Sequence, residues 1–319
     1  MILIFSQSED VHARAVMAEL DRLGERHVLV DLGEYPNALR LQTAFGPGGA
    51  TALRFTHPAF GTVELGQAKG CWWRRPQPYR LDPAIRSREH QHFALAESYE
   101  AMLGTLYALD SGGGRVRWVN HPLKDDAAHR KVLQLKAARE AGLEVPDTLV
   151  TNDPAAARAF IAARHDRPTV YKAFQATEML WRETRLLRQG EEALLDNVRF
   201  APVIFQDYVE AVHDLRVTVV GGRVFPAAIH SQETSYRFDF RMDMARARIS
   251  AAELPEAVQA GLLRLMRALG LVYGAIDMRR TPDGRYVFLE VNPAGQWLFV
   301  EQPTGLRIAR AVAEELACR

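Results

Sequence analysis

Apolar and polar positions along this chain fall into a succession of strand and helix patterns. Residues 2–5 are an unbroken apolar run, residues 9–24 repeat apolar positions at helical spacing and stop at Gly24, and residues 27–32 are a second apolar run, which together predict the start of a βαβ unit. A hairpin around 46–49, strands at 51–55 and 62–65 and a long helix at 87–109 are expected next. Ser111-Gly112-Gly113-Gly114 is the clearest break in the chain. A helix at 125–141 follows, with Asp125 or Asp126 as its N-cap, Gly142 as its stop and Pro146 beyond. Strand 147–150, helix 153–164 and strand 168–173 make a second α/β unit. An Arg-rich loop at 174–190, a short helix at 191–198 and a strand at 203–206 complete it. The remainder reads as strands 214–220 and 223–230, a polar loop 231–248, helix 254–269, two long strands joined by a tight turn, and a terminal helix 304–317. The fold class is α/β with α+β lobes, divided at 1–120, 121–205 and 206–319.

The two long strands, 272–280 and 285–293, flank Thr281-Pro282-Asp283-Gly284, in which Pro presets φ and Gly takes the awkward last position. Symmetric pairing about that turn sets Asp277 opposite Phe288. Glu290 then lies one pair further on the same side, roughly 7–8 Å away at Cβ. Glu290 and Asn292 share a face, while Leu289 and Val291 are expected to point into a core. Three oxygen ligands at this spacing suit magnesium, which prefers carboxylate and carbonyl oxygens and completes its shell with water and nucleotide phosphates. The competing reading, a hairpin whose polar face meets solvent, is disfavoured because the strand is otherwise apolar and a half-buried charge without a partner is costly.

Composition narrows the possibilities. The 319 residues are enough for two or three lobes with real cores, and Lys plus Arg (40) nearly equals Asp plus Glu (39), which argues against a general nucleic-acid binder. No apolar run reaches the length of a membrane span, and residues 1–5 open as a strand instead of a signal peptide, so a cytoplasmic protein is expected. Cys71 and Cys318 have neither disulfide nor zinc spacing. Ser6-Gln7-Ser8-Glu9-Asp10 replaces the glycine-rich turn of a dinucleotide fold.

Several further residues carry chemistry. Lys172 lies in the apolar run 169–174 and needs an anionic partner, which nucleotide phosphates would provide. Lys131, in the first turns of its predicted helix, reads more readily, taken alone, as a solvated surface lysine. Gln206, Asp207, Tyr208 and Val209 leave an apolar strand for a polar stretch. An extended connector of this kind offers backbone N–H and C=O groups to a planar base, and Asp214 a few residues on can accept ribose hydroxyls. Arg216, Arg237, Arg241 and Arg279 bring positive charge towards the metal hairpin, where phosphoryl transfer needs it. Trp72-Trp73-Arg74-Arg75-Pro76 is either a seam between lobes or a place where Arg74 and Arg75 orient acidic substrate groups. No convincing Cys–His or Ser–His pair stands in the chain, so a mechanism without a protein nucleophile is expected.

Taken together, Lys131, Lys172, the 206–209 connector, Asp214, Asp277, Glu290 and Asn292 resemble the ATP-grasp carboxylate–amine ligases over about 170–200 residues. The resemblance implies an ATP-grasp fold preceded by an α/β lobe. It also implies ATP phosphates at the two lysines, adenine at the connector, ribose at Asp214 and Mg2+ at Asp277, Glu290 and Asn292. More narrowly, the Trp72–Pro76 run, residues 129–135 leading to Val145-Pro146-Asp147-Thr148, Asp239-Phe240-Arg241, and Asn292-Pro293-Ala294-Gly295-Gln296-Trp297 are similar to the microviridin-type graspetide synthetases. These are relatives of the ribosomal-protein glutamate ligases. Asp243 stands where the glutamate ligases carry Asn, which favours the peptide-maturase branch, and Phe240 stands where Trp is more usual. The implied activity is ATP-dependent closure of ester or amide macrocycles on the acidic core of a ribosomally made precursor peptide with a leader. The same resemblance makes a homodimer reasonable. Two alternatives are ligation of a free amino acid or small molecule to a peptide terminus, and an inactive nucleotide-binding peptide receptor.

Overall fold

In a computed structural model describing residues 1–47, 51–110, 116–164, 167–174, 185–188, 190–233 and 247–318, the chain divides into two units. The first comprises Met1–Asp125, Leu271–Tyr273 and Arg307–Arg319, and the second comprises Asp126–Gly270 and Gly274–Leu306.

The first unit opens with strand β1 (Ile2–Phe5), helix α1 (Val11–Arg22) and strand β2 (His27–Val30). Asp10 caps α1, its carboxylate accepting from the backbone N–H groups of His12 and Ala13, and Gly24 ends the helix in the left-handed region at φ 71°. Strands β3 (Arg40–Phe45), β4 (Thr51–His57) and β5 (Gly61–Glu64) form a separate antiparallel sheet. Strand β6 (Gly70–Trp73), the long helix α2 (Arg88–Asp110) and strand β7 (Arg117–Val119) follow. The four parallel strands stand in the order β2-β1-β6-β7, and Phe5, Phe55, Leu106 and Trp118 belong to one core beside them.

The predicted helix 125–141 is two helices, α3 (Pro122–Ala128) and α4 (Lys131–Glu140). His129 and Arg130 turn back onto the carbonyls of Asp126 and Ala127, and Gln134 donates its side-chain amide to the Ala128 carbonyl at 2.6 Å. Lys131 therefore opens a helix instead of riding on the flank of one.

In the second unit, strand β8 (Thr148–Thr151), helix α5 (Pro154–Ala162), strands β9 (Thr169–Lys172) and β10 (Arg185–Leu186), and strand β11 (Val203–Asp207) build an antiparallel sheet in the order β10-β9-β11-β8. Strands β12 (His213–Val220), β13 (Arg223–Ile229) and β14 (Ile249–Ala251), helix α6 (Glu256–Leu269), and strands β15 (Tyr273–Arg280) and β16 (Tyr286–Asn292) follow. Their sheet has the order β14-β13-β12-β15-β16.

The predicted terminal helix 304–317 is α8 (Ile308–Ala317), and a further helix not expected from the sequence, α7 (Leu298–Thr304), precedes it, with Gly305 at φ 71° between them. The sequence reading leaves α8 with the last lobe, whereas it packs on α1 in the first unit. Its buried face of Ile308, Ala309, Ala311, Val312, Ala313 and Leu316 explains the switch, since so many alanines let a helix approach its neighbour closely.

Candidate active site

Hairpin β15–β16 pairs Ala275 with Asn292 and Ile276 with Val291, and sets Asp277 directly opposite Glu290, not opposite Phe288 as symmetric pairing about the turn requires. The register shifts between Asp277 and Met278, whose partner is Phe288, so Leu289 is the extra residue of a β-bulge. Val291 is in the core as expected, but Leu289 is only half-buried. The bulge thus brings the two carboxylates into one register pair, closer than the diagonal expected from the sequence.

Each carboxylate meets a cation. Lys131 Nζ donates to Glu290 Oε2, both side chains being about one-fifth exposed. Arg216 Nη1 stands 2.9 Å from Asp277 Oδ1 in a buried pair, and its guanidinium lies 5.6 Å from the Phe299 ring. Gln134, 3% exposed, fixes α4 against β16: its amide donates to the Val291 carbonyl at 2.8 Å and accepts from the Val291 N–H at 3.0 Å. That holds the start of α4, and with it Lys131, beside Glu290. Asn292 accepts from the Ala294 N–H at 3.0 Å, which shapes the turn after the strand.

Further along β15, Arg279 Nε donates to Asp214 Oδ1 at 2.8 Å, and the second oxygen of Asp214 accepts from the Ser231 hydroxyl. Arg279 Nη1 donates to the Val209 carbonyl at 2.7 Å, and its guanidinium is 5.2 Å from the Tyr208 ring. On the other sheet, Lys172 Nζ donates to Gln206 Oε1 at 3.0 Å and Gln206 donates to the Thr148 hydroxyl at 2.7 Å. Lys172 and Gln206 share a face of that sheet, since Lys172 pairs with Ile204 in an antiparallel ladder. Asp207 points to the opposite face, where it accepts from Arg164 at 2.6 Å and Arg167 at 3.1 Å. Asp207 N–H and Tyr208 N–H donate to the carbonyls of Asp147 and Pro168. A cavity of about 530 Å³ lies beside the connector, lined among others by Asp147, Tyr208, Val209, Glu210 and Val287. Neither Lys172 nor Gln206 is among its lining residues.

The remaining candidates fall elsewhere. Arg74 is 1% exposed and donates to Asp10 at 3.1 Å, so it is a buried structural arginine of the first unit, while Arg75 is exposed. Arg237 and Arg241, with Asp243 and most of the loops 174–190 and 231–248, lie outside the described residues. Gln134, Ser231 and Arg164 were not singled out from the sequence. Only Gln134 carried a signal, as a polar residue on the buried side of a helix.

Asp277 and Glu290, two hard carboxylates in register on one face with the Asn292 amide two residues on, fit a magnesium ion. Lys131 and Lys172 fit the phosphates of a nucleotide. An antiparallel four-stranded sheet, an extended connector, and a second sheet ending in such a hairpin define an ATP-grasp enzyme. A RimK-like ATP-grasp domain is matched over residues 128–316, more than half of the chain, and the chain belongs to that family, whose enzymes use ATP and Mg2+.

No curated protein matches the chain. Among solved structures it is similar to macrocyclase MdnC of Microcystis aeruginosa MRC bound with precursor peptide MdnA, at 28% identity and TM-score 0.85 over 100% of this chain and 99% of that one. A Chryseobacterium gregarium RiPP-associated ATP-grasp ligase in complex with ADP and a leader and core peptide is 26% identical, with TM-score 0.89 over 99% and 96%. Macrocyclase MdnB of Microcystis aeruginosa MRC is 27% identical, with TM-score 0.82 over 100% and 99%.

Proposed function

We propose that this enzyme is a peptide macrocyclase that joins side chains of a ribosomally made precursor peptide. The observation that carries the reading is the register pair Asp277–Glu290, with Lys131 and Arg216 already reaching those carboxylates. The near-full-length likeness to two macrocyclases and a ligase bound to leader and core peptide supports the substrate class. When bound, magnesium-ATP supplies the phosphoryl group that turns a peptide Asp or Glu carboxylate into an acyl phosphate, from which a Ser or Thr hydroxyl or a Lys amine of the same peptide displaces phosphate.

The chain's own groups position these reactants. Asp277, Glu290 and Asn292 would hold the metal, and Lys131 and Lys172 the phosphates. Arg216, buried next to Asp277, holds positive charge beside the reacting end, where neutralising a developing charge accelerates transfer. The Val209 N–H, which has no partner among the described residues, is the connector's donor to a base edge. By sequence, Arg241 is assigned to the transferring phosphoryl group with Arg216, Arg237 to the acidic peptide and Arg75 to its orientation. The reading includes a cytoplasmic site of action, where ATP and newly made peptide meet. Among the described residues no helix is long and apolar enough to cross a membrane.

The test is the intact mass of an acid-rich precursor peptide, leader included, after incubation with the enzyme, ATP and Mg2+. The expected result is loss of one water and release of one ADP for each ring closed. A gain in mass with an added amino acid would instead mean intermolecular ligation. Unchanged mass with a panel of such peptides, together with peptide-independent ATP hydrolysis, would overturn the reading.

A further inference from the structure

Arg279 lies two residues past Asp277 on β15, roughly 7 Å along the strand. It is 4% exposed, and its guanidinium is engaged along the connector: Asp214 at 2.8 Å, the Val209 carbonyl at 2.7 Å, and the Tyr208 ring at 5.2 Å. Asp214 is 3% exposed and its other oxygen is held by Ser231, so the anchor is itself fixed. A backbone bond from Val212 N–H to the Arg280 carbonyl, at 2.8 Å, ties the same segment to the same strand. On its other side, the connector is fastened by the Asp207 and Tyr208 N–H groups to Asp147 and Pro168.

We propose that Arg279 is a positioning residue for the nucleotide, acting through the 207–210 connector. This inference rests on the nucleotide-binding reading above. By gripping the Val209 carbonyl, Arg279 sets the orientation of the residue whose N–H meets the base. Because Arg279 and Asp277 share one strand, the base end and the metal end of the nucleotide are spaced by a single rigid element. Asp214 then serves to orient Arg279, in place of the ribose contact expected from the sequence.

A group acting on the transition state lowers kcat with KM unchanged, whereas a group that places the ground-state nucleotide raises KM for ATP. Wild-type binding of Mg·ADP is measured first by calorimetry. Its absence overturns the nucleotide reading and this inference with it. Given wild-type binding, Arg279→Met should weaken ADP binding and raise KM for ATP by roughly tenfold, the scale of one lost charged hydrogen bond. The kcat at saturating ATP should stay within about threefold of wild type on the same scale. Preference for ATP over inosine triphosphate, which lacks the 6-amino donor, should narrow, a readout that loss of stability alone does not move. Arg279→Lys should recover part of the affinity. If burial of the unpaired Asp214 prevents Arg279→Met from folding, Asp214→Asn carries the same expectations, with a smaller rise in KM. A fall in kcat with ADP affinity, KM for ATP and base preference all unchanged would overturn the inference while leaving the nucleotide reading intact.

Discussion

Two carboxylates in one register pair repel each other, and here each is balanced by a cation from a different element: Lys131 from α4 and Arg216 from β12. In the proposed metal site this balance lets the two carboxylates stand together before the metal arrives, at the cost of cation and metal competing for the same oxygens. Lys131→Met should therefore tighten Mn2+ binding in the absence of nucleotide, read by electron paramagnetic resonance, while weakening ADP binding. Equal Mn2+ affinity in the two proteins would show that the lysine does not guard the site. Glu290→Gln removes the charge of a proposed metal ligand at nearly constant volume, so product formation should fall at least 100-fold, the scale seen when one group that stabilises transition-state charge is lost. The thermal midpoint should stay close to wild type. That Asp277, Glu290 and Lys172 need partners was legible in the sequence, because a charge inside an apolar run is costly alone, and each has one. The partners of Asp214 and Arg74 were not legible, because Arg279 and Asp10 are 65 and 64 residues away.

Between residue and fold, the bulge at Leu289 and the break between α3 and α4 decide the geometry of the site. Neither is announced by Gly or Pro: the chain reads Phe288-Leu289-Glu290 at one and Ala128-His129-Arg130-Lys131 at the other. The alternation that put Glu290 and Asn292 on one face gave the wrong partner for Asp277, since the turn pairs Arg280 with Tyr286, one position off symmetry, and the extra residue Leu289 shifts the ladder by a second. The turn after Asn292 shows the same close tolerance. A Cβ on Gly295 would lie 2.3 Å from the Ala275 Cβ, on the residue that pairs with Asn292. Gly295→Ala should cost about 1–3 kcal/mol, as overpacking does, measured by denaturant unfolding. It should also weaken Mg·ADP binding by moving Asn292. An unchanged midpoint would mean that the turn yields freely.

At the scale of the whole molecule, the α/β class and the order of most elements were readable from periodicity, but the return of α8 to the first unit was not. Amphipathicity says that a helix must be covered, not by which element. Gly70 has the Leu316 carbonyl 2.5 Å from where its Cβ would be, so Gly70→Ala should loosen α8 and expose the C-terminus to limited proteolysis. The same unit carries an acid-sensitive polar core. Burial pushes the Asp10 carboxyl up, but the His12 hydrogen bonds and the Arg74 charge outweigh it and hold the group well below the usual carboxylate range. Burial, helped by Arg74, pushes the His12 imidazole down. Both folded-state values lie below their unfolded ones, so both contributions are full at neutral pH and are lost as pH falls. The loss sets in below about 6.5 for His12 and below about 3.9 for Asp10. The thermal midpoint should decline from about pH 7 to about 5, and His12→Gln should flatten that decline; an equally steep decline in the variant would place the acid sensitivity elsewhere.

Activation of a peptide carboxylate by phosphoryl transfer is tested most directly by isotope transfer. A precursor peptide with 18O in its Asp and Glu side-chain carboxylates is cyclised with unlabelled ATP and Mg2+, and the inorganic phosphate is analysed by mass spectrometry. Each ring closed should deliver one 18O to phosphate. Rings that form while phosphate remains unlabelled would contradict the account.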